Sequence, residues 1–215
     1  MSVLAEISAA VEKGKMKLVK ELVPQAIAEG LSGKTILEEG LLHGMSIVGD
    51  RFTRNEAFVP EVLVSARAMN KGIELIKPLL QEEGDEKIGK ACIGTIQGDL
   101  HDIGKNIVKL MLESKNIEVI DLGVDVSPEK FIETAKAENC DMICCSALLS
   151  TTMGGMSKVV ELAKETGIRD DVIIMVGGAP VTQEFCDQIG ADAYTDDGNA
   201  AAVRAVELLK EKKGA

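Results

Sequence analysis

The 215-residue chain has only two histidines, and one of them stands in a run suited to ligand chemistry. Gln97-Gly98-Asp99-Leu100-His101-Asp102-Ile103-Gly104 follows the apolar stretch ACIGTI, which places His101 in the loop after a strand. Asp99 stands two residues upstream, close enough to accept a hydrogen bond from the imidazole. A carboxylate on the far nitrogen of a ligating histidine fixes its tautomer and raises its basicity. Gly104 lets the following helix begin close against whatever occupies that edge. Taken alone, a histidine in such a loop is more often a cap or a surface residue than a ligand. Two further runs shift the balance. Ser146-Ala147-Leu148, followed by Ser150-Thr151-Thr152, closes one later apolar stretch, and Gly177-Gly178-Ala179-Pro180 closes another. Small and hydroxylic residues at successive strand ends outline an open slot for a long ligand.

The elements that must position these residues fall into two halves. From Val3 to Leu80 the pattern is helical: Val62, Ala66, Met69, Ile73, Ile76 and Leu80 recur at steps of four and three, as do Leu37, Leu41, Met45, Val48 and Phe52. This predicts four helices over 2–13, 15–29, 33–53 and 60–80, packed as a small bundle. Ser32 reads as an N-cap and Pro60 as a first helical position. Pro24 should kink or break the second helix. Gly40, Gly44 and Gly49 weaken the third by propensity, a cost that close packing could offset.

QEEGDEKIGK (81–90) is charged and turn-like, which predicts a helical domain over 1–83, a linker over 84–89 and a second domain over 90–215. After it, short apolar runs (ACIGTI, IEVIDLG, DMICCSALL, VIIMVGG, ADAY) alternate with helical stretches near 103–115, 128–138, 154–166, 181–189 and 199–212. Ser127-Pro128 is a good helix start; Gly167 and Gly190 are good ends. The expected fold is therefore α/β with an all-α cap: an N-terminal four-helix bundle and a C-terminal Rossmann-like (flavodoxin-like) five-stranded parallel sheet. Such sheets bind ligands at the carboxyl ends of their strands.

Composition narrows the function classes. Thirty-five acidic against 24 basic residues give a net charge of −11, which argues against binding a phosphate backbone. No apolar run reaches the roughly 18 residues of a membrane span, and the start reads as an amphipathic helix, not a signal peptide. Five cysteines, mostly in apolar segments, predict buried thiols in a reducing cytoplasm. Cys140, Cys144 and Cys145 lack the CxxC pairing of a zinc site.

DxHxxG, then SxL, then GG, in this order on a βα sheet, resembles the cobalamin-binding signature. The SALLSTTM run and MSIVGDRFTRNEAFVPEVLVSARAMN in the helical half are similar to methyltransferase cognate corrinoid proteins, a branch that also includes the cobalamin module of methionine synthase. The resemblance covers essentially the whole chain.

It implies that His101 replaces the cofactor's own benzimidazole as the lower ligand of cobalt, while the displaced tail enters the slot. Asp99 would orient His101, and Thr152 would take the place of a serine completing the relay. Ser146 would hydrogen-bond the benzimidazole, Leu148 would pack on the tail, and Gly177 and Gly178 would admit it closely. Gln97, Gly98, Asp102, Ile103 and Gly104 complete the binding loop. In the cap, Phe58 would shield the methyl-bearing face; Met69 and Met45 are either ring contacts or core filler. Glu56, Pro60 and Glu61 would hold the cap together, and His43 is assigned to packing or exposure.

The implied protein is a carrier, not an enzyme on its own, cycling between Co(I) and methyl-Co(III). Its partners would be a substrate-specific methyltransferase, a corrinoid:acceptor methyltransferase serving tetrahydrofolate or a thiol cofactor, and a reductive activase, with a hinge at Glu82–Lys87 letting the cap move. An adenosylcobalamin mutase subunit or a cobalamin-responsive regulator would share the signature. The first would lack this cap and the second would need a DNA-binding segment. A receiver-like domain with Asp99 as phosphoacceptor leaves the helical half unexplained.

Overall fold

A computed structural model describes residues 2–83 and 87–214. The chain divides into two compact units, Met1–Glu86 and Lys87–Ala215. The centre of the expected linker and hinge, residues 84–86, lies outside the described residues.

The first unit is helical. Helix α1 (Val3–Glu12) begins at Ser2, whose hydroxyl accepts from the Ala5 N–H. Helix α2 (Met16–Ala28) runs through Pro24 without a break, contrary to expectation. Pro24 and Lys20 both lie on its exposed side, so water can satisfy the Lys20 carbonyl that Pro24 leaves without a donor. The expected helix over 33–53 is one helical run with three parts: α3 (Gly33–Thr35), a π-helical segment (Ile36–Leu42) and α4 (His43–Thr53). Ser32 caps it, accepting from the Thr35 N–H at 3.0 Å. Helix α5 (Val59–Glu83) starts one residue before Pro60, which occupies a first-turn position where no intrahelical donor is lost.

The apolar stripes face inward as their spacing requires. Val62, Ala66, Met69, Ile76 and Leu80 are buried, and so are Leu37, Leu41, Met45 and Val48. Gly44 explains itself by packing: a Cβ there would lie 2.5 Å from the Ser8 carbonyl oxygen and 2.9 Å from the Val11 Cβ on α1. Gly40 faces Ile7 of the same helix.

The second unit alternates strands and helices: β1 (Gly89–Thr95), α6 (Ile103–Glu113), β2 (Ile117–Asp121), α7 (Pro128–Ala137), β3 (Met142–Ser146), α8 (Gly154–Glu165), β4 (Ile173–Gly177), α9 (Gln183–Ile189), β5 (Ala193–Tyr194) and α10 (Gly198–Lys213). All strand pairs are parallel, in the order β2-β1-β3-β4-β5. This is the doubly wound order whose connections diverge between β1 and β3, leaving a crevice at the carboxyl ends of those strands. Ser127 caps α7, Thr182 caps α9 and Asp197 caps α10. The Lys105 ammonium, 3% exposed, reaches Asp121 Oδ1 at 2.6 Å and ties α6 to the end of β2. No described helix is long and apolar enough to cross a membrane.

Gly44→Ala should lower stability by about 1–3 kcal/mol, because overlap with the α1 backbone outweighs the ~1 kcal/mol propensity gain of alanine. Urea unfolding followed by circular dichroism reads this directly; an unchanged or raised midpoint would show that α1 can yield.

Candidate functional site

The loop after β1 and the turn after β3 meet at the crevice, and Asp99 joins them. Its side chain has no exposed surface. Oδ1 accepts from the His101 N–H at 3.0 Å and from His101 Nδ1 at 2.6 Å. Oδ2 accepts from the Leu148 N–H at 2.7 Å and the Leu149 N–H at 3.0 Å. Burial by itself would raise the pKa of this carboxyl. The backbone N–H groups of His101 and Leu148, the His101 ring and the Leu149 N–H outweigh burial and hold Asp99 well below the usual carboxylate range.

An ionised carboxylate only accepts, so Nδ1 of His101 must carry the hydrogen of this contact. Nε2 of the neutral ring then presents a lone pair. No hydrogen bond among the described residues engages Nε2, and the side chain is 53% exposed. The Thr95 hydroxyl, buried at the end of β1, donates to the His101 carbonyl at 2.8 Å and holds the residue from below. This is the arrangement of a preset, single nitrogen ligand.

Thr152 adjoins the pair but serves it weakly. Its hydroxyl has one hydrogen and two acceptors in reach: the Leu149 carbonyl at 2.8 Å and Asp99 Oδ2 at 3.4 Å. The shorter bond takes the hydrogen, so Thr152 mainly shapes the 149–152 turn. Its methyl group lies over Gly98, 3.3 Å from where a Cβ would stand.

The two segments that Asp99 joins also expose large aliphatic side chains. Leu100 is 72% exposed, Ile103 68%, and Leu148 and Leu149 are also exposed. Four large aliphatic side chains held in water around one nitrogen suit a broad, flat apolar ligand. Gln97 and Asp102 are exposed in the same loop, and Gly104 is exposed in the first turn of α6.

The residues expected to line a slot beside this surface divide by what the protein itself asks of them. The Ser146 hydroxyl makes no hydrogen bond among the described residues, although Ser146 is partly buried. A Cβ at Gly104, Gly154 or Gly177 would meet no protein atom within 4 Å, and none of the three adopts a positive φ. Nothing inside the protein therefore demands glycine at these three positions. Gly178 differs: at φ 128°, a Cβ would collide with the Ala147 carbonyl, so its requirement is internal.

In the helical unit, Phe58 is 66% exposed at the end of a loop that Arg51 organises. The Arg51 guanidinium donates to the Glu56 carbonyl at 3.1 Å and pairs with Glu12 and Glu61. Glu61 in turn accepts from the Phe58 N–H at 2.9 Å. Glu56 and Glu61 thus hold the loop together, as expected. Met69 and Met45 have no exposed surface, which is how core filler behaves. His43 Nδ1 meets the Ser8 hydroxyl at 2.9 Å and links α4 to α1. All five cysteines are free and buried; burial pushes the Cys144 thiol up to about 12 and raises Cys145 too, which disfavours the thiolate that a metal would need.

Sequence reasoning passed over Leu100, Leu149, Thr95 and Asp125. An aliphatic residue inside the polar loop 97–102 was the available signal for Leu100. The other three act through backbone contacts that no residue type announces.

Comparison with known proteins followed the same lines. The B12 binding domain family matches residues 89–206, and a second B12 binding domain family matches residues 3–77. The dimethylamine corrinoid protein of Methanosarcina barkeri is 46% identical over 207 residues, covering 96% of this chain and 97% of its own. Trimethylamine corrinoid protein 1 of Methanosarcina acetivorans is 42% identical over 210 residues, covering 96% and 97%. Among solved structures, the methanol:cobalamin methyltransferase complex MtaBC of Methanosarcina barkeri superposes with a TM-score of 0.85 at 30% identity, over 96% of this chain and 79% of that one.

Asp99→Asn should cost about 1–3 kcal/mol at pH 7, since its NH2 group must confront buried donors. The Asp99 pKa is depressed in the folded state, so its contribution is present above the unfolded value near 3.9 and lost as pH falls toward the folded one. The stability gap between wild type and Asp99→Asn should therefore narrow as pH falls from 5 toward 2. A gap that stays constant across that range would mean the carboxylate is not selectively stabilised by folding.

Proposed function

This chain belongs to the family of B12-binding corrinoid proteins, and we propose that it carries a methyl group on a bound corrinoid between a methylamine-specific methyltransferase and an acceptor methyltransferase. The observation that carries this reading is a half-exposed His101 whose Nδ1 is held by the buried Asp99 carboxylate, which leaves Nε2 without a hydrogen bond among the described residues. When bound, the corrinoid supplies a cobalt centre able to accept a methyl group from one partner and yield it to another.

His101 would hold that cobalt from below, in place of the cofactor's own base. Leu100, Ile103, Leu148 and Leu149 would meet the underside of the macrocycle, with Gln97, Gly98, Asp102 and Gly104 completing the loop beneath it. The displaced tail would enter past Gly177 and Gly178, with the Ser146 hydroxyl bonding its base and Leu148 packing on it. Phe58 would shield the upper face. A lower ligand in a carrier must bind in one state and let go in another. Asp99 would keep Nδ1 of His101 occupied, so that Nε2 alone is offered to the cobalt, with Thr152 fixing the turn beside them.

The relatives, which are named for dimethylamine and trimethylamine, support a methylamine as the methyl donor. Among the described residues the site holds one imidazole and its carboxylate and no nucleophile aimed at a substrate. Donor activation, transfer to a thiol cofactor or tetrahydrofolate, and reductive rescue therefore fall to separate proteins. The superposition on a methyltransferase complex supports the first of these partners. Five free buried thiols suit a reducing cytoplasm.

His101→Ala should keep bound corrinoid through the tail while changing its absorption spectrum and slowing methyl transfer from dimethylamine in the presence of a dimethylamine methyltransferase. Gly177→Val should still fold, because a Cβ there would meet no protein atom within 4 Å, yet lose most of its corrinoid. Corrinoid content measured after reconstitution separates the two. Full retention by Gly177→Val would remove the tail slot from this reading.

A further inference from the structure

Asp125 lies in the loop between β2 and α7, on the side of the His101 loop away from Leu148 and Leu149. Its Oδ1 accepts from the Gly98 N–H at 2.7 Å. Its own N–H donates to the Asp99 carbonyl at 3.0 Å. The two-residue segment Gly98-Asp99 is therefore gripped at both ends by one residue. That segment needs fixing: Gly98 sits at φ 85°, a conformation glycine adopts freely and leaves as freely. Asp99 leaves little tolerance, because its carboxylate must reach His101 on one side and two backbone N–H groups of the β3 turn on the other. Asp125 itself is at φ 54°, a left-handed conformation that costs most side chains about 1 kcal/mol and suits Asp and Asn best.

We propose that Asp125 is a positioning residue for the cobalt ligand, acting on His101 through the backbone of Gly98 and Asp99. The proposal rests on the reading of His101 as the lower ligand. Asp125 touches neither the imidazole nor the apolar surface around it. Its effect is on where the Asp99 carboxylate stands, and through that on where Nε2 points. The β2 loop thus holds the ligand from one side and the β3 turn holds it from the other, so the ligand is set by three strand ends and not by its own loop.

Two substitutions separate the acceptor from the backbone conformation. Asp125→Asn keeps an acceptor oxygen and tolerates positive φ; Asp125→Gly tolerates positive φ but has no acceptor. Each full-length protein is reconstituted with corrinoid, reduced to Co(II), and examined by electron paramagnetic resonance with 14N- or 15N-labelled histidine. An axial 14N splits each cobalt line into three and 15N splits it into two, so the spectrum reports the ratio of His-on to His-off protein. Wild type and Asp125→Asn should match. Asp125→Gly should keep its corrinoid while its His-off to His-on ratio rises roughly fivefold, the loss expected for one hydrogen bond.

A wild-type ratio in Asp125→Gly, loss of corrinoid altogether from it, or an Asp125→Asn protein that behaves like it would each overturn the proposal. Amide hydrogen exchange on the apo proteins provides a second measure. Exchange at Gly98 and His101 should quicken in Asp125→Gly while the α6 amides hold, and equal protection at all of them counts against it. A His101→Ala control separates the two layers: if a splitting that changes with the 15N-histidine label persists there, the ligand assignment fails, whatever Asp125 does.

Discussion

A carboxylate with no exposed surface is costly to keep charged, and Asp99 stays charged because four donors from two different loops converge on it. The rest of the site depends on that convergence. Its negative charge dictates which nitrogen of His101 carries hydrogen, and hence which one faces outward. Its two oxygens divide the work: one belongs to the β1 loop and one to the turn after β3. The carboxylate is at once an electrostatic partner for the ligand and the fastening between two adjacent strand ends.

The sheet order makes this possible. With β1 and β3 adjacent and their connections leaving in opposite directions, the loops above them part and leave a crevice that short loops would otherwise fill. Around the crevice the chain departs from ordinary surface design in two ways. It exposes four large aliphatic side chains near the imidazole, and it places glycines at 104, 154 and 177 where neither backbone conformation nor internal packing requires them. Both make sense for an external group that is broad and apolar at one end and elongated at the other.

The helical unit solves a different problem with the same economy. Close approach of α1 to the 33–53 run needs glycine at 44 for want of room, and the π-helical segment lies just before that contact. Arg51 spans three elements, pairing with Glu12 and Glu61 and bonding the Glu56 carbonyl, so the exposed Phe58 projects from a fixed loop. An aromatic side chain held in water by such a framework is positioned and not merely left over.

Much of this was legible in the sequence because periodicity is a local property. A period near 3.6 with caps at Ser32 and Ser127 marks helices, and runs of apolar residues bounded by glycine mark buried parallel strands. The pairing of Asp99 with His101 was legible too, since two residues along one loop cannot be far apart. Position within the sequence did not reveal that Pro24 leaves its helix unbroken, that residues 36–42 form a π-helix, or that Thr152 gives its hydrogen to Leu149. Those outcomes turn on solvent access and on a neighbouring helix or turn supplying the alternative bond. The same holds for the backbone amides of Leu148 and Leu149 and for Asp125. Sequence supplied His101 and its carboxylate; only the adjacency of β2, β1 and β3 decided what holds that carboxylate in place, because contacts across fifty residues exist only once the strands have paired.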